Sequence, residues 1–136
     1  MADNTALIKS IYDALAKGDV GTVLGALDPK VEWYEAEHFP YWPGHAFIGG
    51  DAVVKGVFSR IPNDWDGFRV EVKRLVGLGD TVLSEVRYHA TGKKTGKKLD
   101  AQVAHVWDVK NGKVVKFQQY ADTWVIAQVA GITPQA

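Results

Sequence analysis

The stretch 99-LDAQVAHVWDVKNGKVVKFQQYA-121 contains two runs in which apolar and polar residues alternate. Asn111 and Gly112 separate the two runs. An Asn-Gly pair between alternating runs is the strongest short-range signal of a β-hairpin, because both residues tolerate the backbone of a two-residue turn. The stretch therefore predicts a strand over Leu99–Val109, a tight turn, and a second strand over Lys113–Ala121.

The same two-residue period extends upstream of this hairpin. It predicts strands over Phe68–Leu75 and Thr81–Ala90, with turns marked by Gly79-Asp80 and Thr95-Gly96. Consecutive strands joined by short turns usually pair with one another. The second half of the chain is therefore predicted to form a four-stranded antiparallel meander.

The start of the chain has helical periodicity instead. A first helix is predicted from N-cap candidates at Asp3–Thr5 through Leu15, because its apolar residues recur at intervals of three and four. Asp19 is expected to cap a second helix that runs through Leu27 and ends before Pro29.

The remaining elements are a short strand, a long loop and two further helices. β-branched and aromatic residues predict a strand over Val31–Glu35, followed by an irregular loop over Ala36–Gly50. Asp51 is expected to cap a third helix that Pro62 stops, and Asp122-Thr123 a last helix that continues through Val129. Together these elements predict one α+β domain over residues 1–136, in which helices cover the concave face of a curved antiparallel sheet.

Composition and charge exclude several classes of protein. Sixteen Lys and Arg balance sixteen Asp and Glu, so no net charge attracts nucleic acid or an anionic membrane. The chain has no cysteine, which excludes disulfides and thiolate chemistry and predicts a cytoplasmic location. No signal peptide or membrane span is expected, and the histidines lack metal-ligand spacing, so no metal site is expected.

Several segments resemble a known family in their order and spacing. They are Ala16-Lys17-Gly18-Asp19, Asp28-Pro29-Lys30-Val31-Glu32-Trp33, Gly49-Gly50-Asp51-Ala52-Val53, His105-Val106-Trp107-Asp108-Val109, Asn111-Gly112-Lys113-Val114-Val115 and Tyr120-Ala121-Asp122-Thr123. They resemble the SnoaL-like, ketosteroid-isomerase-related branch of the nuclear transport factor 2-like superfamily. The resemblance implies a cone-shaped α+β barrel with an internal pocket, usually in a homodimer. It also implies enzymes that isomerise, cyclise or dehydrate small apolar molecules without a cofactor, beside members that only bind.

Individual family positions match this sequence unevenly. By the resemblance, His105 falls where ketosteroid isomerases carry an oxyanion-hole Asp and where SnoaL-type cyclases carry a His. The cyclase acid/base Asp corresponds to Gln119, and the isomerase general-base Asp to Trp33. The isomerase Tyr on the first helix corresponds to Ile11, one position before Tyr12. These departures leave the specific activity open.

His105 is the first candidate for catalysis. Alternation places Val103, His105 and Trp107 on one strand face, which the apolar neighbours predict to be inward. An imidazole among apolar groups can act near neutral pH as an acid, a base or a neutral donor. The alternative interpretation is a core histidine bonded to its neighbours.

Glu35 and Tyr41 are the other catalytic candidates. Glu35 shares a strand face with Trp33, and a carboxyl beside aromatic rings has a raised pKa and can accept a proton. Glu35 is therefore the predicted replacement for the family's Asp base. A solvated carboxylate, or one paired with Lys or Arg, is the alternative interpretation of Glu35 and the better interpretation of Glu37. Tyr41 lies in an aromatic, proline-stiffened loop that is expected to close over the pocket.

Three functions follow from these residues. The first is a cofactor-free enzyme that moves a proton on a small hydrophobic, carbonyl-bearing molecule. The second is a protein that binds such a molecule without changing it, and the third is a dimerisation domain with a filled core. A homodimer through the outer sheet face is expected, because that face also carries apolar residues. The predicted ligand-binding residues are Tyr12, Trp33, Trp107, Phe117 and Gln119.

Overall fold

The computed structural model describes residues 4–132, which form five α-helices and six β-strands. Asp3, one of the predicted N-cap candidates, lies outside the described residues. The helices are α1 (Asn4–Ala16), α2 (Val20–Gly25), α3 (Gly50–Val53), α4 (Ile61–Asp64) and α5 (Thr123–Ala130). The strands are β1 (Leu27–Tyr34), β2 (Phe47–Ile48), β3 (Trp65–Leu78), β4 (Thr81–Gly92), β5 (Lys98–Lys110) and β6 (Lys113–Ala121).

All six strands belong to one sheet with the order β2-β1-β6-β5-β4-β3. The predicted α+β class and the curved sheet with helices on its concave face are confirmed. The predicted four-strand meander is present as β3 to β6, in which each strand is antiparallel to the next. The sheet as a whole is mixed, because β1 runs parallel to β6, and it remains open rather than closing into a barrel.

The predicted turn at Asn111-Gly112 joins β5 to β6. The backbone φ is +52° at Asn111 and +74° at Gly112. Two successive residues with positive φ give the turn the twist that matches the flanking strands. Asn and Gly are the residues that tolerate this conformation at least cost, so the hairpin and its register follow from local sequence.

The second and third predicted helices have different bounds from those expected. α2 is capped by Asp19 as predicted, but it ends at Gly25, because Leu27 already pairs with Val114 of β6. The backbone cap of α3 is Gly49 rather than Asp51. Pro62 does not stop that helix: it lies in the first turn of α4, where its missing N–H has no partner to lose.

Two short elements were not predicted from the sequence: a π-helical turn after α3 and the strand β2. α3 continues as a π-helical turn over Val54–Phe58. The loop predicted over Ala36–Gly50 contains β2, which pairs with Glu32 and Trp33 of β1. Two-residue strands of this kind are too short to show a period in the sequence.

The core lies between the sheet and the helices. α1 contributes Ile8 and Ile11 and α5 contributes Ile126, and all three side chains are fully buried. Charged side chains of β4 occupy the opposite sheet face, where Glu85 pairs with Arg74 at 2.8 Å between Oε1 and Nε. Among residues 4–132, no helix has the length and apolar content needed to cross a membrane.

Candidate functional site

A cavity of about 590 Å³ lies between the concave sheet face and the helices. All eight site residues predicted from the sequence contribute to its wall: Tyr12, Trp33, Glu35, Tyr41, His105, Trp107, Phe117 and Gln119. Most of the remaining wall is apolar and comes from α1, the π-helical turn, α4 and β3. The cavity is therefore an apolar chamber with a few polar groups.

Strand register brings the polar groups of the cavity together. His105 of β5 is paired with Gln119 of β6 and with Ser84 of β4. Residues directly opposite on neighbouring strands point to the same side of the sheet, so their side chains converge. Trp107 and Phe117 form the next inward pair along the same two strands.

His105 is hydrogen-bonded at both ring nitrogens. Its Nδ1 lies 2.5 Å from the Tyr12 hydroxyl oxygen, and its Nε2 lies 2.7 Å from that of Tyr88. Only 4% of the residue is exposed, and burial lowers the pKa of the imidazole to about 3. His105 is therefore neutral at physiological pH, with one ring nitrogen donating and the other accepting.

Ser84 and Trp107 surround the Tyr12 end of this group. The Ser84 hydroxyl oxygen lies 2.6 Å from that of Tyr12. The indole N–H of Trp107 donates to both oxygens, at 3.2 Å from Tyr12 and 3.1 Å from Ser84. Burial raises the pKa of Tyr12, so its hydroxyl remains protonated.

Gln119 orients the Tyr88 hydroxyl, which bonds the other ring nitrogen of His105. The backbone N–H of Ala36 donates to Gln119 Oε1 at 3.0 Å, and Gln119 Nε2 donates to the Tyr88 hydroxyl oxygen at 2.8 Å. Burial raises the pKa of Tyr88 well above that of a free phenol. The predicted binding residue Gln119 thus connects the Glu35–Ala36 segment to the polar group around His105.

Glu35 lies in the cavity wall with half of its carboxyl group unbonded. Trp33 Nε1–H donates to Glu35 Oε2 at 3.1 Å, whereas the buried Oε1 has no hydrogen-bond partner among the described residues. Burial raises the pKa of Glu35 to about 7. Its neighbour Glu37 is exposed, in agreement with the interpretation of Glu37 as a solvated carboxylate.

Tyr41 lines the cavity with its ring, but its hydroxyl is engaged elsewhere. The hydroxyl donates to Asp64 Oδ2 at 2.8 Å, and the Arg60 guanidinium lies 4.2 Å from the ring centroid. This arrangement holds the loop after β1 against α4. A catalytic role for Tyr41 stays a prediction, while Tyr12 and Tyr88 are the tyrosines in contact with His105.

Stacked and edge-on aromatic rings form the floor of the cavity. Trp33 stacks on Phe117 with ring centroids 3.8 Å apart, and Trp107 meets Phe117 edge-on at 4.6 Å. Phe58 of the π-helical turn packs edge-on against Trp33. Rings fixed in this way present a broad apolar surface at little further cost in conformational entropy.

Tyr88 and Ser84 are the polar residues that the sequence analysis missed. Glu85, Arg87 and His89 form a polar row whose face is ambiguous in the sequence. The complementary face of β4 holds Ser84 and Tyr88, both buried. The signal that could have found them is this alternation, once the charged row is assigned to the outer face.

The fold and the site together define a single-sheet α+β cone with an internal, mostly apolar cavity and a buried histidine. The SnoaL-like domain matches residues 8–117 of this chain. The chain belongs to the SnoaL-like domain family. A comparison with curated proteins finds no match.

Solved structures similar to this chain share the fold. An NTF2-like protein from Burkholderia thailandensis E264 is 34% identical, with a TM-score of 0.89 over 95% of this chain and 98% of that chain. TerC, co-crystallised with polyporic acid, is 22% identical, with a TM-score of 0.84 over 94% and 98%. A protein with a ketosteroid isomerase-like fold from Catenulispora acidiphila, in complex with trimethylamine, is 13% identical, with a TM-score of 0.77 over 93% and 92%.

Replacement of Glu35 by Gln is expected to change the pH dependence of stability. Burial raises the folded-state pKa of Glu35 to about 7 from the ordinary 4.5. Its contribution to stability is therefore fully present below about pH 4.5 and is lost as the pH rises through about 7. Glu35→Gln lacks this loss, so its free energy of unfolding relative to wild type should rise by about 2 kcal/mol between roughly pH 5 and pH 8.

Urea denaturation at a series of pH values measures this difference. Glu37→Gln is the matched control, because it removes an exposed carboxylate two residues away. The control should follow the wild-type curve at all pH values. Parallel curves for Glu35→Gln and wild type would contradict a raised pKa of Glu35.

Proposed function

We propose that the protein is a cofactor-free enzyme that transfers a proton on a small hydrophobic, carbonyl-bearing molecule bound in the cavity. The observation that carries this proposal is the buried Glu35, which lines the same cavity as neutral His105 and whose Oε1 has no hydrogen-bond partner among residues 4–132. A carboxyl group with a pKa near the working pH and a set of uncharged donors are the groups that general acid–base catalysis needs.

Glu35 is the base in this proposal. At neutral pH a substantial fraction of the carboxyl is ionised, because its pKa is raised to about 7. Trp33 holds one carboxyl oxygen and leaves the other to accept a proton from carbon. A carboxylate in an apolar site is also a stronger base than one in water, because solvent no longer stabilises its charge.

The buried donors stabilise the negative charge that develops on the substrate oxygen. Protonated phenols donate hydrogen bonds without carrying charge of their own, and the neutral imidazole of His105 orients the hydroxyls of Tyr12 and Tyr88. Aligned donors in a water-poor site stabilise an enolate-like oxygen more strongly than water does. Reactions of this class include isomerisation, cyclisation and elimination.

Binding without turnover is the second candidate function. The absence of Asp at the family positions occupied by Trp33 and Gln119 favours it. The relative TerC was co-crystallised with polyporic acid, which supports a small organic ligand for this fold but does not separate the two functions. A filled-core dimerisation domain is disfavoured, because about 590 Å³ exceeds the roughly 300 Å³ at which ligand cavities begin.

Proton exchange tests the enzymatic proposal directly. Ketones that bind wild type are incubated with protein in D₂O, and loss of the α-proton signal is followed by ¹H NMR. We expect exchange whose rate rises with pH through about 7, as Glu35 loses its proton. Glu35→Gln should exchange at least about 100-fold more slowly.

Glu37→Gln is the control for this assay and should retain the wild-type rate. Wild-type protein that binds ketones yet leaves their α-protons unexchanged would favour binding without turnover. Equal exchange rates for Glu35→Gln and wild type would remove Glu35 from the base role.

We further propose a homodimer through the outer sheet face. Tyr120 projects from this face and is 59% exposed, beside Ala104, its antiparallel partner on β5. Charged pairs such as Arg74–Glu85 and Arg87–Asp100 lie on the same face and provide both signs of charge to a second copy.

A cytoplasmic location likewise stays a prediction from the sequence.

Tyr120→Glu is expected to convert the dimer to a monomer, because the carboxylate would lose its solvent in the interface. Sedimentation velocity over a range of concentrations measures the change. Leu78→Glu is the matched control, since Leu78 is 61% exposed at the β3–β4 turn. A wild-type protein that remains monomeric at all concentrations would contradict the proposed dimer.

A further inference from the structure

The hydrogen bonds around His105 are constrained by groups that can only donate. The Ala36 backbone N–H fixes the orientation of the Gln119 amide, so Gln119 Nε2 must donate to Tyr88. The Trp107 indole must donate to the Tyr12 and Ser84 oxygens at the other end. The fixed donors leave four protons whose direction is not determined. They are the single ring proton of neutral His105 and the hydroxyl protons of Tyr12, Ser84 and Tyr88.

These protons have two arrangements, one for each neutral tautomer of His105. In the first, the Nδ1–H arrangement, His105 Nδ1–H donates to Tyr12, and Tyr12 donates to Ser84. Ser84 donates to the backbone oxygen of His105 at 3.4 Å, and the Tyr88 hydroxyl donates to His105 Nε2. Every proton in this arrangement has an acceptor among the described residues.

In the second, the Nε2–H arrangement, the bonds at both ring nitrogens of His105 reverse. Tyr12 donates to His105 Nδ1, Nε2–H donates to the Tyr88 oxygen, and Ser84 donates to Tyr12 or keeps its bond to the backbone oxygen of His105. Tyr88 then accepts two hydrogen bonds, from His105 and from Gln119. Its own hydroxyl proton has no acceptor among residues 4–132 and is available to a ligand in the cavity that Tyr88 lines.

We propose that Tyr88 is the residue that donates to the ligand's carbonyl oxygen, and that His105 acts through it by changing between its two neutral tautomers. This inference rests on the proposed function for the presence of a carbonyl ligand. Tyr12 and Ser84 are positioning residues, because the Tyr12 proton must reverse with the ring proton and Ser84 accepts it in the Nδ1–H arrangement. His105 is likewise a positioning residue, and among these four residues Tyr88 is the one that contacts the ligand.

Tyr88 of β4, rather than Tyr12 of the first helix, is the donor to the ligand in this proposal. The tyrosine on the first helix, Tyr12, is committed in both arrangements to His105 or Ser84. Tyr88 stands on β4 and is supported in the Nε2–H arrangement by two donors to its oxygen, one from Gln119 and one from His105. Two donors to a phenol oxygen make its own proton a stronger hydrogen-bond donor.

The tautomer of His105 can be measured without any ligand. The chain has four histidines, and loss of one pair of ¹⁵N ring signals in His105→Gln assigns those of His105. Wild type should show the Nδ1–H tautomer, since it satisfies all protons. Ser84→Ala removes the acceptor of Tyr12 and should convert His105 to the Nε2–H tautomer, although Ser84 does not line the cavity.

An unchanged tautomer in folded Ser84→Ala would overturn the coupled network. So would an Nε2–H tautomer in ligand-free wild type. These outcomes do not depend on turnover, so the absence of proton exchange would remove the proposed function and leave this result intact.

Donation by Tyr88 is tested with 1-tetralone and its hydrocarbon analogue tetralin, by titration of tryptophan fluorescence. Wild type should prefer the ketone, and Tyr88→Phe should weaken ketone binding by roughly two- to tenfold with little effect on tetralin. Tyr34→Phe is the matched control, because that hydroxyl donates to Glu32 outside the cavity. Failure of wild type to bind 1-tetralone, or equal loss of both compounds in Tyr88→Phe, would overturn the proposal.

Discussion

The imidazole of His105 is buried in the wall of an apolar cavity, and both of its nitrogens require hydrogen-bond partners there. An unpaired polar group in such a site costs on the order of 1 to 3 kcal/mol. Its direct partners are Tyr12 of α1 and Tyr88 of β4. Ser84 of β4 and Gln119 of β6 in turn bond these two tyrosines. Helix and sheet must therefore dock in one relative position for this group to be satisfied.

The same apolar surroundings shift the pKa values of His105 and Glu35 in opposite directions. Burial lowers the pKa of His105 to about 3 and raises that of Glu35 to about 7. Both effects disfavour the charged form, so at mildly acidic pH the chamber contains no charge on either group. Near neutrality only the carboxylate becomes ionised. The fold thus places an ionisable carboxyl and a set of uncharged hydrogen-bonding groups around one cavity.

The sequence was sufficient for the elements whose local signals agree with the fold. The Asn111-Gly112 turn sets the β5–β6 register, and that register places His105 opposite Gln119. Alternation along β5 and β6 then correctly assigned Trp107 and Phe117 to the inner face. Five of the eight predicted site residues, Trp33, His105, Trp107, Phe117 and Gln119, line the cavity because they occupy inward positions of strands that the sequence predicts well.

Other features depend on contacts between distant residues and could not be predicted. Leu27 continues the helical spacing of α2, but its backbone pairs with Val114, which is far away in the sequence. The parallel direction of β1 and the two-residue strand β2 arise from such pairings as well. The inward face of β4 is ambiguous in the sequence, so the hydrogen bond between the Tyr88 hydroxyl and His105 is evident only from the structure.

A pH titration of the His105 ring signals by NMR tests the central claim most directly, namely that this histidine is a neutral, water-shielded member of a closed hydrogen-bond group. With a pKa lowered to about 3, the signals should stay those of a neutral imidazole from roughly pH 8 down to pH 5. Titration of His105 with a midpoint near 6.5 would contradict the account, because it would mean that water reaches the ring and that the group around it is open.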